Sequence, residues 1–176
     1  MAVQLVDGSR IDLSKPCIYV ANLEAYNSGR LIGEWLDLTT FDSVEALQKE
    51  IDRIATCYMY SDEWAIHDTS NFPDLGENPN LEDVIKVSEL IKENSFEAVK
   101  GFLDNWSVED LEHFEESFCG AHSSFKDFAI QQFDDTMEVP EHLTSYIDYD
   151  GWARDLSFDY SEAPAPDCET FIYRSF

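Results

Sequence analysis

The chain has 176 residues, of which 37 are acidic and 11 are basic, so its formal net charge at neutral pH is −26. Direct binding to nucleic acid or to an anionic membrane surface is excluded, because both need clustered basic side chains to meet phosphate groups. Intrinsic disorder is excluded because acidic disordered chains lack aromatic residues, whereas this chain has 12 Phe, 8 Tyr and 4 Trp. The composition predicts a folded, strongly acidic protein.

The beginning of the chain predicts a small ββαβ unit. Residues 17–23 are rich in β-branched and aromatic side chains and predict a strand, with residues 30–38 as its hairpin partner. Ser43 is a typical helix N-cap, and the apolar residues after it recur at spacings of three and four to about Cys57. Residues 64–67 predict the third strand.

Capping residues predict three successive helices in the middle of the chain. Asn80, Ser95 and Ser107 each precede an apolar pattern of helical period. The third of these helices is predicted to run from Val108 to Phe118, and Ser107 with Asp110 has the spacing of a capping box.

The last third predicts a mixture of helix and strand. Ser124-x-x-Asp127 is a second capping-box pattern and predicts a helix after it. A further helix is predicted near 148–156 and a strand from Thr170, after Pro164 and Pro166 interrupt the chain.

These elements predict an α+β fold, an elongated chain of three small domains. We expect an N-terminal extension over 1–15, an α+β domain over 16–68, a helical domain over 69–118 and a mixed α/β domain over 119–176. The turn-rich stretch 69–80, with Pro73, Gly76 and Pro79, marks the first boundary between domains.

The negative charge is spread along the chain and is not collected in a tail. Residues 1–40 have a net charge of −2, and the other 136 residues have −24. Four stretches contain five to seven acidic residues each and no Lys or Arg: 54–85, 101–125, 127–153 and 155–173. Ordinary surfaces intersperse both signs, so the repetition favours a functional acidic surface over one that only keeps the protein soluble.

The segment from Val108 to Phe118 illustrates what this acidity costs. Glu109, Glu112 and Glu116 are like-charge neighbours at helical spacing, and each such pair destabilises a helix by roughly 0.2–0.5 kcal/mol. We predict that the acidic surface is formed by Asp62, Glu63, Asp74, Glu77, Glu82, Asp83, Glu109, Asp110, Glu112, Glu115, Glu116, Asp127, Asp134, Asp135, Glu138 and Glu141.

Signatures of catalysis and metal binding are weak. With 37 acids, no spacing marks one pair as catalytic. Asp148-Tyr-Asp-Gly151 begins like a calcium-binding loop, but Trp152 and Ala153 stand where that loop needs a ligand and a glycine. Cys119-x-x-His122 is the only close pair of zinc-ligand types, and no second pair lies near it. We therefore expect no enzymatic activity, no cofactor and no structural metal.

The same sequence predicts a cytoplasmic protein. It has no run of about 18 apolar residues that could span a membrane, and its first 14 residues lack the apolar stretch of a signal peptide. The four cysteines are scattered, with no CxxC pair, which is typical of reduced thiols.

The remaining class of function uses the charge itself. A folded polyanion can occupy the basic groove of a DNA-binding protein and exclude DNA from it. Since duplex DNA carries one charge per roughly 1.7 Å of axis, a net charge of −26 corresponds to about 44 Å or about 13 bp, and a dimer to about twice that.

Two separated motifs resemble the ArdA antirestriction proteins. The first consists of the turn Tyr26-Asn-Ser-Gly29 and the run Gly33-Glu-Trp-Leu-Asp-Leu-Thr-Thr-Phe-Asp42. The second consists of Val139-Pro-Glu141 and Tyr146-Ile-Asp-Tyr-Asp-Gly-Trp-Ala-Arg-Asp-Leu156, which resembles the antirestriction motif of that family. The motif residues carried over are Tyr146, Asp148, Tyr149, Asp150, Trp152, Arg154 and Asp155.

The resemblance implies a protein of a bacterial mobile element that assists horizontal gene transfer. Such proteins mimic bent B-DNA as elongated homodimers of three small domains, and they block restriction and usually modification by type I restriction–modification enzymes without catalysis. The alternative is an acidic adaptor or inhibitor of another DNA-binding protein, such as a nucleoid protein, RNA polymerase or a CRISPR effector. For Arg154 two interpretations are open: a local ion pair with Asp150 or Asp155, or a role in positioning the motif.

Overall fold

Helices and antiparallel strands alternate through residues 2–4, 10–57 and 62–176, which are the residues that the computed structural model describes. The predicted α+β class is confirmed. By their internal contacts the residues group into a first unit, Met1–Phe96, and a second unit, Glu97–Phe176. The finer division at residues 15, 68 and 118 and the end-to-end arrangement stay predictions.

The sheet of the first unit has three antiparallel strands in the order β4–β3–β5. The central strand β3 is Cys17–Asn22, flanked by β4 (Gly33–Asp37) and β5 (Trp64–Ser70). In the register, Tyr19 lies opposite Trp35, and their rings meet edge-on. Both predicted strand partners are confirmed, and β5 extends three residues beyond the predicted end. A separate antiparallel pair, β1 (Ala2–Gln4) and β2 (Arg10–Asp12), precedes this sheet.

Three helices accompany that sheet. The short helix α1 (Leu23–Asn27) lies in the hairpin connection, where the sequence analysis had predicted only a turn. The helices α2 (Val44–Ala55) and α3 (Leu81–Glu93) begin after the predicted caps Ser43 and Asn80. The buried side of α2 is aliphatic, as its period predicted.

Asn22 fixes the end of the central strand in the first unit. Its side chain is fully buried, and its carbonyl oxygen accepts the Ala25 N–H at 2.8 Å, which caps α1. Its amide group donates to the Ala55 carbonyl at the end of α2. One polar side chain therefore ties a strand to two helices while it satisfies their terminal backbone groups.

The second unit contains short helices around another three-stranded sheet. Its helices are α4 (Phe96–Leu103), α5 (Phe114–Ser117), α6 (Phe125–Thr136) and α7 (Tyr149–Leu156), and its strands are β6 (Phe118–His122), β7 (Tyr160–Pro164) and β8 (Thr170–Arg174). Single 3₁₀ segments cover Val108–His113, Glu141–Tyr146, Ser157–Asp159 and Pro166–Cys168. The strand order is β6–β8–β7, and both pairs are antiparallel.

Aromatic side chains form much of the core of the second unit. Tyr173 on β8 is fully buried and donates its hydroxyl to the Ala98 carbonyl at 2.7 Å. Phe102 packs edge-on against Phe114 and Tyr173. Gly101 lets α4 approach the sheet, because a β-carbon there would lie 2.6 Å from the Tyr173 hydroxyl and 2.7 Å from the Ala163 methyl group.

The structure corrects one prediction for this unit and adds two strands. The continuous helix predicted from Val108 to Phe118 is a 3₁₀ segment, Val108–His113, followed by the short α5, and Phe118 already begins β6. The strands β6 and β7 were not predicted. β6 lacks β-branched residues and contains Gly120 at φ +92°, while β7 is an edge strand that ends in Pro164. Pairing with β8 imposes both strands.

Within the described residues, no helix is both long and apolar enough to cross a membrane.

Candidate acidic interface

The sixteen acidic residues predicted to form the interface lie at the surface of their units. Fourteen of them are exposed, and Asp83 and Asp110 are half-buried. In the helical segments the exposure follows from the local structure, because apolar residues between the acids turn inward. Leu111 and Phe114, for example, are buried while Glu112, Glu115 and Glu116 are exposed.

The 3₁₀ geometry of Val108–His113 changes how its carboxylates are spaced. In a 3₁₀ helix, side chains three residues apart are eclipsed. Glu109 and Glu112 therefore lie one above the other on the same face. Such like-charge stacking is unfavourable for folding, and nothing in the apolar packing of Leu111 requires acids at these positions.

Hydrogen bonds keep two carboxylates of this segment ionised. The Ser107 hydroxyl donates to Asp110 Oδ2 at 2.8 Å, and the Ser107 backbone N–H donates to the same oxygen at 3.0 Å. These bonds hold the pKa of Asp110 below its usual value, and the same Ser107 hydroxyl, whose single hydrogen can turn to either carboxylate, lowers the pKa of Glu109. Both groups therefore keep their charge to a lower pH than an ordinary exposed carboxylate.

Lys100, Lys126 and Arg154 of the second unit contact acids outside this set of sixteen, whereas His113 lies 3.7 Å from one of the sixteen, Glu112. Lys100 lies 2.7 Å from Asp104, Lys126 lies 2.7 Å from Asp150, and Arg154 lies 3.0 Å from Asp155. In the first unit Lys86 approaches one of the sixteen, Asp83, at 4.0 Å. Local ion pairs thus form mainly away from the candidate surface.

The antirestriction-like motif contains α7, which packs against the preceding helix α6, and we call this pair of helices the motif hairpin. The Trp152 indole N–H donates to the Ala129 carbonyl of α6 at 2.9 Å. Phe133 of α6 meets the rings of Tyr149 and Trp152 edge-on, with centroids 5.5 and 5.3 Å apart. These half-buried aromatic residues attach α7 to α6, so their role in this unit is packing and orientation.

The acids of the motif point outward from this hairpin. Asp148 caps α7 by accepting the Gly151 N–H at 2.9 Å, which accounts for the Asp-x-Asp-Gly pattern without a calcium loop. Asp150 pairs with Lys126, and that hydrogen bond raises the pKa of Lys126. Of the two partners predicted for Arg154, the structure pairs it with Asp155. Asp148, Asp150 and Asp155 are all exposed.

An exposed apolar patch lies in the same part of the chain and was not predicted from its sequence. We define the 137–146 patch by Met137, Leu143 and Tyr146, of which Tyr146 is 83% exposed. A groove of about 580 Å³ adjoins it, lined among others by Phe133 and Tyr149. The segment has no apolar period, so only its individual exposed residues could have drawn attention to it.

Cys119 and His122, the pair of zinc-ligand types in the sequence, are joined by a local hydrogen bond. His122 Nε2 lies 3.0 Å from the Cys119 carbonyl oxygen, and the half-buried Cys119 is a free thiol whose pKa is raised by burial. In the parts of the chain that the structure describes, no group of three or more His, Cys, Asp or Glu residues is arranged to hold a metal ion.

Comparison with known families identifies the chain. The sequence profile of the family described as Antirestriction protein (ArdA) matches residues 18–165, which is most of the chain and includes both motifs. The chain therefore belongs to the ArdA antirestriction protein family. A search of curated proteins gave no match. Membership supports an antirestriction function and interaction with restriction enzymes, and the family is one of inhibitors.

Proposed function

We propose that this ArdA family member mimics B-DNA with its surface carboxylates and competitively occupies the DNA-binding groove of type I restriction–modification enzymes. It would block restriction, and with it modification, in the cytoplasm of a bacterial host that receives a mobile element. In this function the protein binds and does not catalyse. The partner's groove is basic because it binds phosphates, and it meets carboxylates here instead.

The observation that carries the proposal is the set of sixteen surface acids, fourteen of them exposed, in segments without Lys or Arg. Their mutual repulsion opposes folding, yet Lys100, Lys126 and Arg154 of the second unit pair with other acids, Asp104, Asp150 and Asp155. A surface selected only for stability would place bases among these acids. A surface that must resemble a phosphate backbone would not.

A homodimer is part of this proposal. The 137–146 patch exposes Met137, Leu143 and Tyr146 next to the motif hairpin. Covering such side chains removes apolar area from water, and a second copy of the chain would double the length of duplex that can be imitated. The mass in solution should then be twice the 20.2 kDa of one chain. Replacing Leu143 and Tyr146 together by Asp should halve that mass.

Competition with DNA tests the function directly. A fluorescent duplex bound to a purified type I enzyme should be displaced by the protein, and the affinity should fall steeply between 50 mM and 0.5 M salt because charge–charge attraction is screened. Displacement that did not change with salt would contradict the electrostatic mechanism. Binding to a nucleoid protein, RNA polymerase or CRISPR effector, but not to the type I enzyme, would favour the alternative adaptor.

A further inference from the structure

A groove in the first unit lies beside α1 and β5. Its volume is about 680 Å³, which is within the usual range of ligand clefts, about 300–1,000 Å³. It is lined by Leu23, Tyr26 and Asn27 at α1, by residues 66–69 of β5, and by Asp74, Gly76 and Glu77 of the following loop. All of these belong to the first unit.

Backbone contacts fix the loop that borders the groove. The Ile66 N–H of β5 donates to the Glu77 carbonyl at 2.8 Å, which holds the loop against the strand. Asp74 Oδ1 accepts the Gly76 N–H at 2.8 Å, and Gly76 has φ +91°, a conformation that favours glycine. The groove is therefore a built feature of the fold, with its rim held in place by hydrogen bonds.

The lining combines two aromatic rings with three carboxylates. Tyr26 is 51% exposed, and its ring stands edge-on to His67 with the centroids 4.8 Å apart. Asp68, Asp74 and Glu77 are exposed along the same groove. No Lys or Arg belongs to the described lining, and the lining residues from β5 and the following loop lie in the base-free stretch 54–85.

We propose that this groove is a docking site for an arginine side chain of the partner protein. A planar guanidinium group stacks on an aromatic face and hydrogen-bonds carboxylates in fork geometry, so it can use Tyr26 and the acids together. A lysine would gain the charge attraction but not the fork or the stacking. The groove then adds one specific anchor to a surface that otherwise acts through distributed charge.

This inference rests on the proposed function for the identity of the partner, but the groove can be tested without that partner. The probe is N-acetyl-arginine amide, titrated while the ring signals of Tyr26 and His67 are followed by NMR. We expect saturable shifts at these two rings, and weaker shifts with N-acetyl-lysine amide. The double variant Asp74→Asn/Glu77→Gln should lose the arginine response. Both changes keep the side-chain shape, and the backbone bond from Ile66 to Glu77 does not involve the replaced atoms.

A matched control removes the same charge elsewhere in the first unit. Glu45 on α2 and Glu89 on α3 are exposed and do not line the groove. Glu45→Gln/Glu89→Gln should keep the NMR response. In competition for a type I enzyme, the groove variant should lose about tenfold in affinity and the control about twofold or less.

The outcomes separate the two proposals. If both double variants lose the same affinity, or if the arginine shifts at Tyr26 and His67 are absent, the groove is not a docking site and the DNA-mimic function still stands. If the wild-type chain does not bind the enzyme at all, the proposed function fails, and so does the assignment of this partner to the groove. If the NMR shifts caused by N-acetyl-arginine amide persist in that case, they would show that the groove still binds arginine.

Discussion

The two units carry the same sign of charge but manage it differently. The first unit has 18 acidic and 7 basic residues and a net charge of −11, whereas the second has 19 and 4 and a net charge of −15 in fewer residues. In the first unit Arg53 joins Glu34 and Glu50, each within 2.8 Å. The first unit therefore contains more basic residues among its acids, and the second carries the larger uncompensated negative charge.

The hydrophobic cores of the two units also differ, and the more acidic unit has the more aromatic core. The fully buried side chains of the first unit are mainly aliphatic, among them Ile18, Leu47 and Ile51, while the largest of the second unit are Tyr173, Phe102 and Phe114. One buried aromatic side chain removes roughly 150–250 Å² from water. A core of large rings needs fewer apolar positions, so more positions of a short chain are left for acids. The high aromatic content of the sequence therefore makes its high acidity compatible with a stable core.

The largest effect should come from neutralising the acids of 108–116. Changing Glu109, Glu112, Glu115 and Glu116 to Gln should weaken binding to a type I enzyme on the order of 100-fold, or about 2.7 kcal/mol. Thermal stability should rise slightly, because like-charge neighbours are removed. Single replacements should each change affinity less than about fivefold. Competition against a labelled duplex measures the first effect and calorimetry the second.

The matched control removes four exposed acids from the first unit. Asp42→Asn, Glu45→Gln, Glu89→Gln and Glu93→Gln remove the same total charge on residues that are exposed in the structure. Their combined effect should be less than about tenfold. Equal losses from the two sets would mean that total charge, and not its concentration in the second unit, determines binding.

A smaller effect should follow from Trp152→Phe in the motif hairpin. The ring contact with Phe133 can persist, but the indole bond to the Ala129 carbonyl is lost. We expect the free energy of unfolding to fall by about 1 kcal/mol, measured by urea denaturation, and inhibition to fall as α7 loosens on α6. In the first unit Trp35→Phe is the control, since Trp35 meets Tyr19 through its ring alone in that contact. Equal destabilisation by both changes would argue against a special role of the indole bond.

Local signals made most of the helices predictable, and long-range pairing made the rest unpredictable. Ser43, Asn80 and Ser124 each accept the hydrogen bond of a helix N-cap, so a few adjacent residues were enough. β6 and β8 are about 50 residues apart in the chain. The sequence of β6 has only a weak strand pattern and contains Gly120, so it does not predict this pairing.

The site divides in the same way. The outward position of the helical acids among the sixteen followed from the apolar period between them. Two contacts of the motif depend on how α6 and α7 pack, which the sequence does not reveal. The Trp152 indole donates to a backbone carbonyl of α6, and Asp150 pairs with Lys126 instead of Arg154. The groove beside Tyr26 depends on a loop position that no local pattern encodes.

The smallest effect concerns how each unit keeps a carboxylate charged. Burial raises the pKa of Asp37 in the first unit, but hydrogen bonds from Thr39 and Lys15 outweigh it and lower the pKa overall. In the second unit the pKa of Asp110 is lowered chiefly by Ser107, a neutral donor, and to a smaller degree by the nearby His113. The neutral hydroxyl lowers the pKa of Asp110 without cancelling its negative charge, so this charge remains available to attract a basic partner.

Replacing Ser107 by Ala tests this difference. The pKa of Asp110 and Glu109 should rise toward ordinary values, as followed by NMR titration of their side-chain carbons. A carboxyl whose folded pKa is depressed stabilises the fold above its unfolded pKa of about 4, and that contribution disappears as the pH falls through the folded value. Stability should therefore decrease slightly at neutral pH in Ser107→Ala and depend less on pH below about 4. Ser123→Ala, at an exposed serine, should leave both pKa values unchanged, and an unchanged pKa of Asp110 in Ser107→Ala would show that the hydrogen bond is not its cause.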